Sequence, residues 1–339
     1  MNLSTVNYQK VMWPDTSLLW DRCKNVAWPI ENKFHQYVMK NKLLINPKSL
    51  IFTPDANAFA FQAKAVSVIK PDGITLHGVA LGALLLIDPK TIPEKFKVLD
   101  VHDDRLNDES FINDCIVWLN QEYFKIEEFN PIDMVESDRI NLKIFLLTVG
   151  DPEMFAKMVE FIVLHEIAHH YLEHDMTLSN SESIIYHSFK TRLPFLVAGL
   201  AAGIFAGSYI LEGRWSKIVL STMGVFSTWS FYVYDLSSRL KIQREREKEA
   251  DLMAIKVAKE TDGLLHFFNK LIELQALLLE QKSEGERRQI ANQQSNIYWL
   301  WDHPTHEERL AYLEAFVKGI PSKPLETWRP NVPFRWKTT

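Results

Sequence analysis

Two long uncharged runs constrain this chain more than any other feature. Leu193 to Leu211 holds 19 residues without a charge, and Ile218 to Tyr234 holds 17. A bilayer span needs about 20 apolar residues, with a lower limit of roughly 17. The first run meets that length and the second sits at its limit. The expectation is a two-helix transmembrane hairpin over 193–234 rather than a pair of buried core helices. Gly199, Gly203 and Gly207 recur every fourth residue in the first run. Each costs a helix in water about 1 kcal/mol relative to Ala, whereas in lipid a ridge of small residues lets helices approach closely. Trp215, Trp229, Tyr232 and Tyr234 fall near the ends of the runs, where membrane interfaces favour aromatic rings. Lys190, Arg192, Arg239, Lys241, Arg244, Arg246 and Lys248 flank the pair, while the connecting EGRWSK carries only Arg214 and Lys217. That asymmetry predicts cytoplasmic flanks.

Outside the runs the composition is that of a globular protein. Of 339 residues 47% are apolar, which is enough for one or two sizeable cores and excludes a disordered chain. A net charge of -5 provides no basic field, so nucleic acid is not an expected partner. Two cysteines, Cys23 and Cys115, are too few for a disulfide framework and fit a reducing compartment. The opening MNLSTVNYQKVMW lacks the basic start and apolar stretch of a secretory signal. No Gly-rich phosphate loop and no G-x-S-x-G elbow occurs, so neither nucleotide-driven nor serine chemistry is indicated.

The pattern divides the chain into blocks. Residues 1–48 form an amino-terminal segment of unassigned role. Residues 50–69 alternate in strand fashion, notably AFAFQAKAVSVI, and KPDG leads into GITLHGV, which predicts a β-hairpin. VALGALLLI suits either a buried strand or a helix. A helix is predicted over 109–128, and another opens with Asp151 as N-cap and Pro152 at the first helical position. Residues 49–192 and 235–320 are read as two parts of one domain, interrupted by the hairpin at 193–234. Residues 321–339, with four prolines, make an extended tail.

The helix opened by Asp151 carries the chemistry. It reads DPEMFAKMVEFIVLHEIAHHYLEH, an H-E-x-x-H arrangement. His165 and His169 lie one turn apart on one face and can both reach a single ion, while Glu166 stands within reach of a water on that ion. His170 and His174 repeat the spacing without a glutamate directly after the first, and are read as surface residues or as supports behind the ligands. A catalytic zinc needs three protein ligands and an open position. The segment REREKEADLMAIKVA offers carboxylates for the third: Glu247 and Asp251, four apart, share one helical face, and Glu245 and Glu249 lie about 200° around the helix from Glu247.

H-E-I-A-H-H followed by E-K-E-A-D resembles the HtpX-like integral-membrane zinc metallopeptidases, which include the CAAX prenyl proteases. The resemblance implies a mainly α fold with a small β-sheet, an α+β gluzincin-like domain, carrying the transmembrane hairpin. It implies one zinc ion per chain, His165, His169 and Glu247 as ligands and Glu166 as catalytic base. Asp251 would accept a ring N–H from a zinc-bound histidine. DHPTHEERLAYLEAF resembles the downstream H-P-x-x-x-x-R-x-x-x-L element, with His303 and Arg309 at its matching positions, and His303 would stand near the metal or the substrate oxyanion. Asn57, Ala58, Phe59 and Ala60 resemble the N-A-F-A strand beside the cleft, where an extended substrate adds by backbone pairing. The resemblance covers 57–69 and 152–315. Two departures stand out: the strand continues FQAKAV instead of into proline and glycine, and no pair of amino-terminal spans precedes residue 150. In the latter respect the chain is also similar to the phage-exclusion protease Lit, with its H-E-I-A-H-x-x-L-x-H, E-R-E-A-D and T-H-P elements.

Topology supplies an independent check, because ligands at 169 and 247 must meet although both apolar runs lie between them. Two crossings return the chain to its starting side, and two runs are present. The expected activity is zinc-dependent hydrolysis of peptide bonds in protein or peptide substrates, through a zinc-bound water activated by Glu166. The expected setting is a multi-pass membrane protein in contact with lipid, its catalytic domain on the cytoplasmic side of a bacterial inner membrane, acting in membrane protein quality control. The alternatives are a Lit-like defence protease that cuts one cytosolic protein, and a non-catalytic membrane scaffold.

Overall fold

The computed structural model describes residues 16–43, 50–55, 59–69, 75–98, 100–124, 136–172, 174, 197, 201, 214–280, 282–287 and 303–320. Helix α1 (Thr16–Lys40) buries Leu19, Cys23, Ala27, Ile30, Phe34 and Val38, a stripe spaced by three and four that turns one face inward. Pro29 sits on the opposite, exposed side of this helix.

Three strands follow: β1 (Ile51–Pro54), β2 (Ala63–Ile69) and β3 (Thr75–Leu81), in the order β1-β3-β2. The predicted hairpin is present: β2 and β3 pair antiparallel from Ala63↔Leu81 to Ile69↔Thr75. β1 joins the other side of β3 in parallel, Ile51↔Gly78 to Pro54↔Leu81. The strand starts later than the AFAF alternation implied. Phe59, Ala60 and Phe61 lie ahead of β2 and are buried, and Phe61 packs within 6.2–6.4 Å of the Phe145, Phe155 and Phe267 rings. These side chains anchor the core, and a short all-apolar run suits a buried core segment as well as it suits a strand. Gly82 is required at the close crossing, where a Cβ would come within 2.1 Å of the Ala60 carbonyl oxygen. VALGALLLI resolves into the end of β3 and a buried 3₁₀ turn, Ala83–Leu86.

Helix α2 (Glu109–Trp118) runs on through a π-helical turn, Leu119–Phe124, close to the predicted span. Helix α3 is Glu136–Val149 and α4 is Pro152–Tyr171. Asp151 caps α4 by accepting from the N–H groups of Glu153 and Met154, with Pro152 behind it, as the sequence predicted. α4 is buried on nearly every side and packs against α1, α3, β2, β3 and helix α6 (Asp262–Glu280). Helix α5 (Arg214–Ala258) is a single element of 45 residues, and α7 (His306–Val317), which packs on α6, opens with a reciprocal capping box between Thr305 and Glu308.

The described residues divide into two compact units, one drawn from Met1–Met176, Lys248–Arg287 and Thr305–Ser322, the other from Thr177–Glu247, Arg288–Pro304 and Lys323–Thr339. The architecture is mainly helical with one small sheet. Among the described residues no helix is long and apolar enough to cross a membrane. The first apolar run lies outside the described residues except for Val197 and Ala201. The second is helical within α5, but Ser221, Thr222, Ser227, Thr228 and Ser230 interrupt it, and Lys217 and Asp235 close it. The tail from residue 321, Asn57 and Ala58 also lie outside the described residues.

Candidate metal centre

Capping at Asp151 sets the phase of α4, and the fourth and fifth turns then deliver His165 and His169 to one buried face. Their rings are 4.7 Å apart, edge to face, with the two Nε2 atoms 3.0 Å from each other. Glu247, one turn before Asp251 on α5, is also buried. His165, His169 and Glu247 each offer one ligand atom, and these atoms lie within 4.8 Å of one another. Two imidazoles and one carboxylate are the donor set of a catalytic zinc.

The groups behind the ligands favour the same fit. His165 Nδ1 is 2.7 Å from Asp251 Oδ1. A carboxylate only accepts, so the ring hydrogen belongs on Nδ1 and the lone pair on Nε2, facing His169. Asp251 is fully buried and accepts from Arg309 through Nε (2.8 Å) and Nη2 (2.5 Å), and from the Tyr312 hydroxyl. Burial alone pushes this carboxyl up, but the Arg309 guanidinium and the His165 ring overcome it and hold it at about 2. Arg309 in turn lies 4.7 Å over the Phe268 ring.

Glu166 is held from the sheet. Its Oε2 accepts the Ala65 backbone N–H at 2.6 Å, while Oε1 lies 3.9 Å from His165 Nε2. One oxygen is thus tethered to β2 and the other turned towards the imidazole pair. His303, whose side chain is half exposed, places Nδ1 3.0 Å from Glu247 Oε2. Phe59 and Ala60 are buried ahead of β2 and belong to no strand.

Neither His170 nor His174 is at the surface. His170 Nε2 pairs with the Gly78 carbonyl at 2.6 Å and its ring packs on His77, which makes it a tie between α4 and β3. His174 Nδ1 lies 2.9 Å from His169 Nδ1, so it backs the second imidazole of the cluster. Glu249 sits on the far side of α5 from Glu247 yet reaches His174 Nε2 at 3.3 Å. Tyr312 and the Ala65 N–H were missed in the sequence. Tyr312 had a signal, since it follows Arg309 by three on one helical face. A backbone donor has none.

Residues 153–317 match the family model of Peptidase family M48. That stretch contains both imidazoles, Glu166, Glu247, Asp251, His303 and Arg309, and the match bears out the resemblance to HtpX-like metallopeptidases. No curated protein and no solved structure matches the chain.

Proposed function

We propose, on the premise that residues 153–317 are a segment of peptidase family M48, that this protein is a zinc-dependent endopeptidase acting on protein substrates. The observation that carries the reading is the convergence of His165, His169 and Glu247 within ligand reach of one point. Zinc held there supplies a Lewis acid for the scissile carbonyl and renders a water acidic near neutral pH. Glu166 takes the proton from the attacking water and returns it to the departing amine. The Ala65 N–H keeps the carboxylate aimed while it does so. Asp251 orients His165, and Arg309 and Tyr312 hold Asp251. His303, beside Glu247, is the proposed partner of the developing oxyanion. An extended substrate pairs along the outer side of β2, which is an edge strand, and not with the buried Phe59 and Ala60.

Glu166→Gln tests the reading: zinc content persists by metal analysis, while cleavage of an unfolded protein substrate falls by about 10²–10⁴-fold. Undiminished cleavage removes Glu166 from the mechanism, and no cleavage by the zinc-loaded parent favours the scaffold. Membrane attachment is part of the proposal, supported by the 19 uncharged residues of 193–211. The parent then stays with the membrane fraction through an alkaline wash and is released by detergent; release by the wash alone sinks the anchor.

A second reading has one observation in its favour. His174, the last histidine of the element similar to Lit, is built into the site. A triggered defence protease shows activity only with a phage-derived activator, and constitutive turnover of membrane proteins excludes it.

A further inference from the structure

We propose that His174 is a positioning residue for the metal centre: it receives the ring hydrogen of His169 at Nδ1 and keeps the Nε2 lone pair of that ring turned towards the ion. The inference rests on the metal reading above and extends it to the outer support of the second imidazole ligand.

His174 lies just past the end of α4 and is 8% exposed. Its backbone N–H donates to the His169 carbonyl at 3.0 Å, which folds the chain back over the last turn. The two rings then meet edge to face at 5.0 Å, with Nδ1 opposite Nδ1 at 2.9 Å. Two facing nitrogens at that separation share one hydrogen, so one donates and the other accepts. Glu249 decides which. Its Oε2, 3.3 Å from His174 Nε2, can only accept, so His174 carries its hydrogen on Nε2. A neutral imidazole has a single N–H, which leaves His174 Nδ1 as the acceptor and His169 Nδ1 as the donor. His169 Nε2 is then unprotonated and faces His165 Nε2 at 3.0 Å.

The outcome is a symmetric division of labour built from unlike parts. Asp251 fixes the hydrogen of His165 from a fully buried carboxylate anchored by Arg309. His174 fixes the hydrogen of His169 through a second imidazole. Glu249 is largely exposed, so its share is to orient His174 and not to supply a strong field.

The test uses the full chain and zinc itself, titrated in competition with a chromophoric chelator. His174→Ala removes the acceptor and should weaken zinc binding about 10–100-fold. His174→Gln, whose amide oxygen can accept the same hydrogen, should recover most of that loss, and the metal-free melting temperature should match the parent in both. In the unmodified zinc-loaded protein, ¹⁵N spectra of the histidine rings should show His174 protonated on Nε2 and bare on Nδ1. Parent-like zinc affinity in the alanine variant, equal loss in both variants, or a hydrogen on His174 Nδ1 overturns the proposal. If the alanine variant does not fold, the ring spectrum of the parent decides. Failure of the parent to bind zinc is a different result, which overturns the metal reading on which this rests.

Discussion

Glu31 shows how much a single buried group can set the response of this protein to pH. It lies on the inner side of α1, 5% exposed, where the Leu50 N–H reaches it at 3.4 Å and His35 Nε2 stands 4.0 Å away. Burial pushes its carboxyl above the usual 4.5, against the opposing pull of the Leu50 amide and the His35 ring. A raised folded value means that the favourable contribution is complete in acid, below 4.5, and is lost as pH rises through the folded value. At neutral pH the ionised group therefore costs stability. Glu31→Gln, which keeps an acceptor for Leu50, should shift the urea midpoint upward at pH 7, and the gain should vanish at pH 4. An equal shift at both values contradicts the assignment. Such a group is invisible in the sequence, because a lone glutamate beside Ile30 carries no pattern that marks it as buried. His165, Glu166 and His169 were legible for the opposite reason: their geometry follows from helical spacing alone. Asp251 shared a helical face with Glu247, but its place behind His165 came from the family resemblance. Tyr312, Glu249 and the Ala65 amide act across contacts that no local spacing encodes.

Elements were readable where capping and turn chemistry is local. The start of α4 was fixed by Asp151 and Pro152, and the β2–β3 hairpin by the turn residues between two alternating runs. The 59–61 stretch differs from the expected strand because Phe59, Ala60 and Phe61 are buried in succession, and an all-apolar run fits a core segment as well as it fits a strand. Helix α1 was not predicted, since Pro29 and a scatter of polar residues blur its buried stripe. The cap at Asp151 bears on the site directly. It satisfies two N–H groups at the end of a helix whose other end carries both imidazoles. Asp151→Ala should cost about 1 kcal/mol, within roughly 0.5–2, in chemical denaturation. Because α4 is clamped by packing on nearly all sides, zinc affinity should change little. A large loss of zinc affinity with unchanged stability would mean that the first turn of α4 communicates with the ligands by some other route.

At the scale of the whole molecule, the site is assembled from stretches that are far apart in the chain: 165–174 on and just past α4, 247–251 on α5, and 303–312 leading into α7. In the sequence, hydropathy bore on that assembly only through the expectation of an even number of crossings between 169 and 247, and which carboxylate closes the set was implied only by the family resemblance. The metal reading makes the stability of the folded chain depend on zinc, since an ion bound by the assembled ligands and not by the unfolded chain stabilises by RT ln(1 + [L]/Kd). At a hundredfold excess over Kd this is about 2.7 kcal/mol, which corresponds to roughly 5–10 °C in melting temperature at about 2–4 °C per kcal/mol. Stripping zinc with a chelator should lower the melting temperature by that order, and restoring zinc should recover it. In Glu247→Gln the amide is a poor ligand, so the metal-dependent part of the rise should shrink towards zero while the metal-free melting temperature changes much less. If zinc leaves the parent unchanged, the three side chains are a buried polar cluster and nothing more. If it raises parent and Glu247→Gln equally, the two imidazoles bind without the carboxylate, and the open position needed for hydrolysis must be sought with a different third ligand.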